Sequence, residues 1–349
     1  MFARSRLHRL LSLVLSLALC GTACAADVLR VLGWPGYADA DVVRAFEERT
    51  GARVEVTLVD SDEMLWDKVG AHESADYDVF AVNTAELQRY IDRERVVPLD
   101  PDALPSRAAQ QTRFRDPAAL PALLRDGRLY GVPYAYAEMG LIYDRTQFTS
   151  PPDSIAVLWD PRLRGKVLMF NGGSHAFSLA GQALGLASPF RLDAPGWTQA
   201  VGHLIELRRN LLTFYTQPEE SARLFTQHRA AVMFANYGAQ QLSLLRAAGA
   251  DVGYVIPREG ALAWLDCWAI TRGARNTALA HAWIDYMIEA GPAEVLSQRH
   301  GLNNTRSGAP HQADAARLVW LEPVENVERR NLLWERIVSG DSATKVLAP

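Results

Sequence analysis

An α/β protein with two lobes is the architecture this chain predicts, and three observations carry it. Strand-like and helix-like patterns alternate from residue 28 through a helix that starts at Thr84, and a second series of the same kind opens at Tyr130. The length, 349 residues, exceeds one average core of about 100–200 residues. A hydrophobic content of 49% with 22% charge excludes global disorder. The net charge of −4, from 36 basic and 40 acidic residues, leaves no electrostatic footprint for nucleic acid.

The first 26 residues stand apart from this pattern. Arg4, Arg6 and Arg9 precede an apolar run from Leu10 to Cys20 and then small residues through Ala26, the parts of a secretory signal. The run is too short for a bilayer core of about 30 Å. Cleavage fits after Ala25 or Ala26, and the chain is expected in the periplasm. The mature protein would have 323 residues, a net charge of −7 and one cysteine, Cys267, hence no intramolecular disulfide. In the run Ala-Trp-Leu-Asp-Cys-Trp-Ala-Ile, Cys267 reads as a small buried hydrophobe.

Residues 28–33 read as a strand that stops at the turn Trp34-Pro35-Gly36-Tyr37. A helix follows from an Asp39 or Asp41 cap, with Val42, Val43 and Phe46 on one face, ending at Gly51. Residues 53–59 form the next strand and 62–69 a second helix; the run 77–82 and a helix from Thr84 continue the alternation. βαβ units at this pace imply a mostly parallel sheet, with ligands bound beyond the carboxyl ends of the strands, where Trp34 and Tyr37 fall. Residues 97–126, rich in Pro, Ala, Arg and Asp, read as loop and short helix. The second series holds strands at 130–134, 166–170 and 230–234 and a helix from Ser174; a strand at 263–271 and a helix over 277–288 follow. Short crossings favour two lobes tied by a hinge.

These segments resemble the periplasmic polyamine-binding proteins of bacterial ABC importers, a branch of the type II solute-binding proteins. The resemblance rests on Trp34-Pro-Gly-Tyr37, "FEERTGARVEV", "YDVFAV", "YGVPYAYAEMGLIYD", "LWDPRLRGKVLMF", "EGALAWLDCWAIT" and "HGLNNT", in that order along the mature chain. It implies a two-lobed, type II periplasmic-binding-protein fold with the ligand cleft between the lobes. Lobe one would hold residues 27–134 plus 265–304, and lobe two 135–264 plus 305–349. It also implies a monomer that closes on a small cationic ligand, putrescine or spermidine among them, and presents it to an ABC permease in the inner membrane.

A polyamine needs carboxylates at its ammonium groups and aromatic walls along its methylenes. By the resemblance, Trp34 and Tyr37 are an aromatic pair after the first strand, and Trp264 and Asp266 supply a wall and an ammonium partner. Asp266 between apolar neighbours needs a partner if buried, and a ligand cation would be one. Relatives carry two acids on the segment that here reads Asn171-Gly172-Gly173-Ser174-His175, so Asn171 and His175 are expected ligand contacts. Tyrosines expected by the resemblance align to Ala85 and to Leu302, beside Asn303, and an expected Gln aligns to Trp320. Glu138 lies at the expected first crossing and Tyr237 follows the strand at 230–234. Gly172-Gly173-Ser174 before a helix favours an anion, which opens the alternative of a zwitterionic amino acid derivative with its carboxylate near Ser174. A plain helix-starting turn explains the glycines equally well.

No Gly-x-Ser-x-Gly, His-Glu-x-x-His, phosphate loop or Cys-x-x-Cys appears, so no enzymatic role and no cofactor is expected. His203, His228, His281, His300 and His311 show no metal spacing. A receptor subunit that reports ligand to a sensor is the remaining alternative to transport.

Overall fold

The computed structural model describes residues 26–307 and 317–348. Residues 1–25 of the expected signal segment, His311, and part of the expected return into lobe two lie outside the described residues. The strands are β1 Val28–Gly33, β2 Arg53–Leu58, β3 Val79–Asn83, β4 Val96–Val97, β5 Leu124–Arg125, β6 Arg128–Leu129, β7 Val132–Asp144, β8 Val167–Phe170, β9 Leu211–Tyr215, β10 Val232–Ala235, β11 Val252–Val255, β12 Ala261–Thr271, β13 Asn303–Asn304 and β14 Leu318–Trp320. The helices are α1 Ala40–Thr50, α2 Asp62–Gly70, α3 Thr84–Asp92, the single turn α4 Thr112–Arg115, α5 Gly173–Ala183, α6 Ala194–Arg208, α7 Pro218–Gln227, α8 Ala239–Ala247, α9 Thr277–Met287, α10 Ala290–His300, α11 Val327–Val338 and the short α12 Ala343–Val346.

Local chemistry sets the boundaries near the cleft. α1 buries Val42 and Phe46 and ends where Gly51, at φ +72°, donates its N–H to Glu47 O. Ser61 caps α2 by accepting from Met64 N, with Asp62 and Glu63 in the first turn where the helix dipole favours acids. The Asn83 side chain accepts from Ala85 N and starts α3.

The strands follow the order β2-β1-β3-β12-β7-β10-β8-β9. The expected parallel pairing holds for β2-β1-β3 and for β10-β8-β9, but β12 and β7 run antiparallel to each other, β12 antiparallel to β3 and β7 antiparallel to β10, while the short β14 pairs with β12 in parallel. Residues 132–139 of β7 lie beside β12, and residues 140–144 lie between β10 and β11, so one strand serves two sheets. Twelve of its thirteen residues are buried, as are all eleven of β12. The sequence pattern marks the first of these strands only over residues 130–134, whereas it runs on to Asp144. Gly140 leaves room for the Tyr254 ring, whose far end a Cβ there would meet at 2.6 Å.

Helices cover both sheets. On the first, Trp283 packs edge-on to Phe46 at 5.1 Å and against Trp268 at 6.0 Å. On the second, Phe177 of α5 meets Trp197 of α6 at 5.2 Å. Arg330 of α11 is fully buried, paired with Glu325 at 2.8 Å. Cys267 is fully buried with its thiol on Val82 O, as expected of a small hydrophobe. Among the described residues no helix is long and apolar enough to cross a membrane.

Candidate functional site

The carboxyl ends of strands from both sheets converge on one cavity of about 220 Å³. From the first sheet come Trp34 to Tyr37 after β1, Asp60 to Asp62 after β2, and Asn83 ending β3. From the second come Phe170 and His175 around the β8–α5 turn, Gln217 to Glu219 after β9, and Asn236 and Tyr237 after β10. Trp264 and Asp266 enter from β12. Their spacing of two puts both side chains on one face of the strand, while Leu265 points away into a small cluster with Phe114 and Tyr136.

Asp266 is 7% exposed and accepts a hydrogen bond from the Tyr37 hydroxyl at 2.7 Å. It stands opposite Asn83 in the β3–β12 register, and a bulge follows it in β12. Burial pushes its carboxyl up to about 7, against the lowering effect of hydrogen bonds from Tyr37 and Asn83. Tyr37, buried beside that carboxylate, is raised well above its ordinary value in turn. Asp62 is also raised, by burial first and then by Glu86, Glu63 and Asp266.

Five aromatic side chains wall the cavity: Trp34, Tyr37, Phe170, Tyr237 and Trp264. Trp264 is fixed by donating from Nε1 to Asn236 O at 2.8 Å, and Tyr237 by its hydroxyl on Thr216 O at 2.7 Å. Phe170 stands edge-on to Tyr237 at 6.0 Å and to His175 at 5.3 Å. Burial, with the Arg330 charge second, lowers His175 to about 4, so the ring is neutral at pH 7 and adds no charge opposing a cation. Trp34 Nε1 and Asn236 Oδ1 are buried at the wall without hydrogen-bond partners. Among the described residues, no cluster of side chains suited to a metal ion occurs.

Six of the residues singled out from sequence thus line one cavity: Trp34, Tyr37, His175, Tyr237, Trp264 and Asp266. Ser174 lines a smaller side chamber of about 30 Å³, which shares Asp62, Asn83 and His175 with the main cavity. The other four have partners elsewhere. Asn171 Oδ1 accepts from Trp334 Nε1 at 2.8 Å, and Asn303 donates to Glu138 at 3.0 Å. Trp320 packs on Tyr136 at 5.6 Å and Phe114 at 6.1 Å. Gly173 is explained by packing: a Cβ there would meet Arg330 O at 2.9 Å, so its absence lets α5 approach α11. Sequence reading missed Asp62, Asn83, Phe170, Glu219 and His300. The signal for Asp62 and Asn83 was their place at or just beyond a strand end. His300 is held by Asp39 at 3.0 Å and packs over Gly36, whose φ is +85° and whose Cβ would meet the ring at 2.7 Å.

A two-lobed binding-protein fold with a ligand-sized, aromatic-walled cleft defines a solute-binding protein, and comparison with known proteins gives the family. The chain belongs to the bacterial extracellular solute-binding protein family, whose model matches residues 41–316. It is 27% identical over 282 residues to spermidine/putrescine-binding periplasmic protein 1 of Haemophilus influenzae, covering 79% of this chain and 74% of that one. It is 25% identical over 351 residues to the norspermidine sensor of Vibrio cholerae, covering 98% and 91%. Among solved structures, the TpPotD lipoprotein of Treponema pallidum superposes with a TM-score of 0.78 at 18% identity, over 89% of this chain and 99% of that one.

Proposed function

We propose that this protein is the extracytoplasmic substrate-binding component of an ABC importer and captures a small polyamine by hinge closure. The observation that carries the ligand class is Asp266, a buried carboxyl inside an aromatic-walled cavity, with no ion-pair partner among the described residues. An ammonium group supplies the missing charge, and the rings of Trp34, Tyr37 and Trp264 suit the methylenes beside it. A cavity of about 220 Å³ is below the common range for drug-sized ligands, which suits a short aliphatic amine. The relatives' names, spermidine/putrescine-binding and norspermidine sensor, agree with that chemistry.

In this reading the lobes are residues 27–134 plus 265–304 and residues 135–264 plus 305–349, the chain acts as a monomer after loss of residues 1–26, and its partner is an inner-membrane permease. The zwitterion alternative is disfavoured by charge, because the chamber that Ser174 lines also holds Asp62, Glu86 and Glu322. The resemblance to a norspermidine sensor keeps signalling as a second reading of the output, with the same ligand class.

Isothermal titration of the mature protein with putrescine, cadaverine, spermidine and ω-amino acids tests the proposal. Dissociation constants in the micromolar range or tighter for at least one polyamine are expected. Binding of an ω-amino acid with no polyamine binding would overturn it.

A further inference from the structure

We propose a second binding site, for a free small organic anion with an apolar body, in the cavity between the turns that follow β4 and the β5–β6 hairpin. It lies apart from the cleft and does not rest on the amine-binding reading.

This open cavity of about 880 Å³ falls within the size range of small-molecule sites and shares no wall residue with the cleft or its side chamber. Leu99, Leu104 and Leu129, all buried, give it an apolar wall. The backbone holds that wall in place. Leu99 N donates to Leu129 O at 2.7 Å, and Pro101 and Pro105 open the short 3-10 turns Pro101–Ala103 and Pro105–Ala109. Proline fixes φ at the start of each turn, so little freedom is left to lose when a ligand enters. The Pro- and Arg-rich stretch 97–126, which takes no part in the cleft, supplies most of this cavity.

Three guanidinium groups, those of Arg107, Arg115 and Arg128, line the same cavity, and none pairs with a carboxylate among the described residues. Arg107 donates from Nη2 to Arg115 O at 3.2 Å, Arg115 from Nη1 to Ala108 O at 2.9 Å, and Arg128 lies over the Tyr130 ring at 5.8 Å. Arg107 Nε is buried without a hydrogen-bond partner. Burial alone pushes that guanidinium down, with no acid beside it to hold it up. The single acid on the wall, Asp100, turns Oδ1 to Asp102 N at 3.0 Å. A carboxylate entering the cavity supplies the missing charge, and the guanidinium fork suits its two oxygens. The ligand's apolar body then covers the leucine wall. Three like charges repel a polyamine here, so the two sites select opposite charges.

Titration calorimetry with octanoate and 1-octanol tests the site, since the two share a chain length and differ in the charge of the head group. The mature wild type is expected to bind octanoate about tenfold more tightly than 1-octanol or better, the scale of one charged hydrogen-bonded pair. Arg107→Gln and Arg128→Gln should each weaken octanoate severalfold and leave 1-octanol unchanged. Near-ultraviolet circular dichroism and Tm confirm folding, and if Arg107→Gln fails to fold, the exposed Arg128→Gln decides. A wild type that binds octanoate no better than 1-octanol overturns the proposal. So does an octanoate affinity unchanged in the folded variants, which would place the anion elsewhere on the protein.

Discussion

Asp266 carries opposed demands of folding and binding. Its carboxyl is held near 7 by burial, far above an unfolded aspartate near 4, so the folded protein binds more protons than the unfolded chain across that interval. Its contribution to stability therefore falls as pH rises from about 4 to 7, and above 7 the buried charge is a standing cost. Asp266→Asn is expected to raise the Tm of the unliganded protein at pH 8, by ~1–2 kcal/mol or a few degrees, and to lose that advantage at pH 4. Calorimetric scans at the two pH values check this. The same change should weaken a polyamine by about 1–3 kcal/mol, since the fixed negative partner is gone. In the wild type, protonation of Asp266 competes with the ligand, whose amines remain charged. Affinity should fall by about tenfold per pH unit below 7, and a flat profile from pH 8 to 5 would contradict the assignment of Asp266 as ammonium partner.

At the scale of elements, strand ends and helix starts deliver the site, and close packing fixes where they point. Most of the chemistry-bearing side chains lie at a strand end or within five residues after it: Trp34 and Tyr37, Asp62, Asn83, His175 and Tyr237. Those with an aromatic or apolar signature were legible from sequence. Asp62 and Asn83 were not, because a polar residue at a helix start looks the same whether it faces a cavity or bulk water. The glycines at the start of α5 show the converse. Sequence left an anion-binding turn and a plain helix-starting turn equally open, and packing gives Gly173 a reason of its own: a Cβ there would meet the Asn331 side chain at 2.5 Å and Arg330 O at 2.9 Å. Gly173→Ala is expected to push α11 away and cost about 1–3 kcal/mol, read as a lower Tm with the ligand preference unchanged. A Tm equal to wild type would show that α5 and α11 separate freely.

For the whole molecule, the described conformation links the two halves by side-chain bonds as well as by β7 and β12. Arg89 of α3 pairs with Glu328 of α11 at 2.9 Å, and Asn331 of α11 donates to Glu63 of α2 at 2.6 Å. Both bonds are exposed and individually weak, so ligand contacts drawn from both sheets are the larger force for closure. Adding saturating putrescine should therefore shrink the radius of gyration in small-angle scattering. It should also raise Tm by an amount that grows with ligand concentration, about 2.7 kcal/mol at a hundredfold excess over Kd. An unchanged radius with a raised Tm would mean that the free protein is already closed.

Sequence alone determined the α/β class, the first βαβ series, the lone sheltered thiol of Cys267 and the Trp264–Asp266 face of β12. Each of these depends on local periodicity or on composition, which a single chain displays. Only the tertiary structure decided that β7 runs unbroken through both sheets, that Asn171, Glu138, Asn303 and Trp320 turn to partners of their own, and that Asp62 and Glu86 meet at one chamber. Those facts depend on which distant segments come together, and a polar residue's partner is set by that packing and not by its neighbours in sequence.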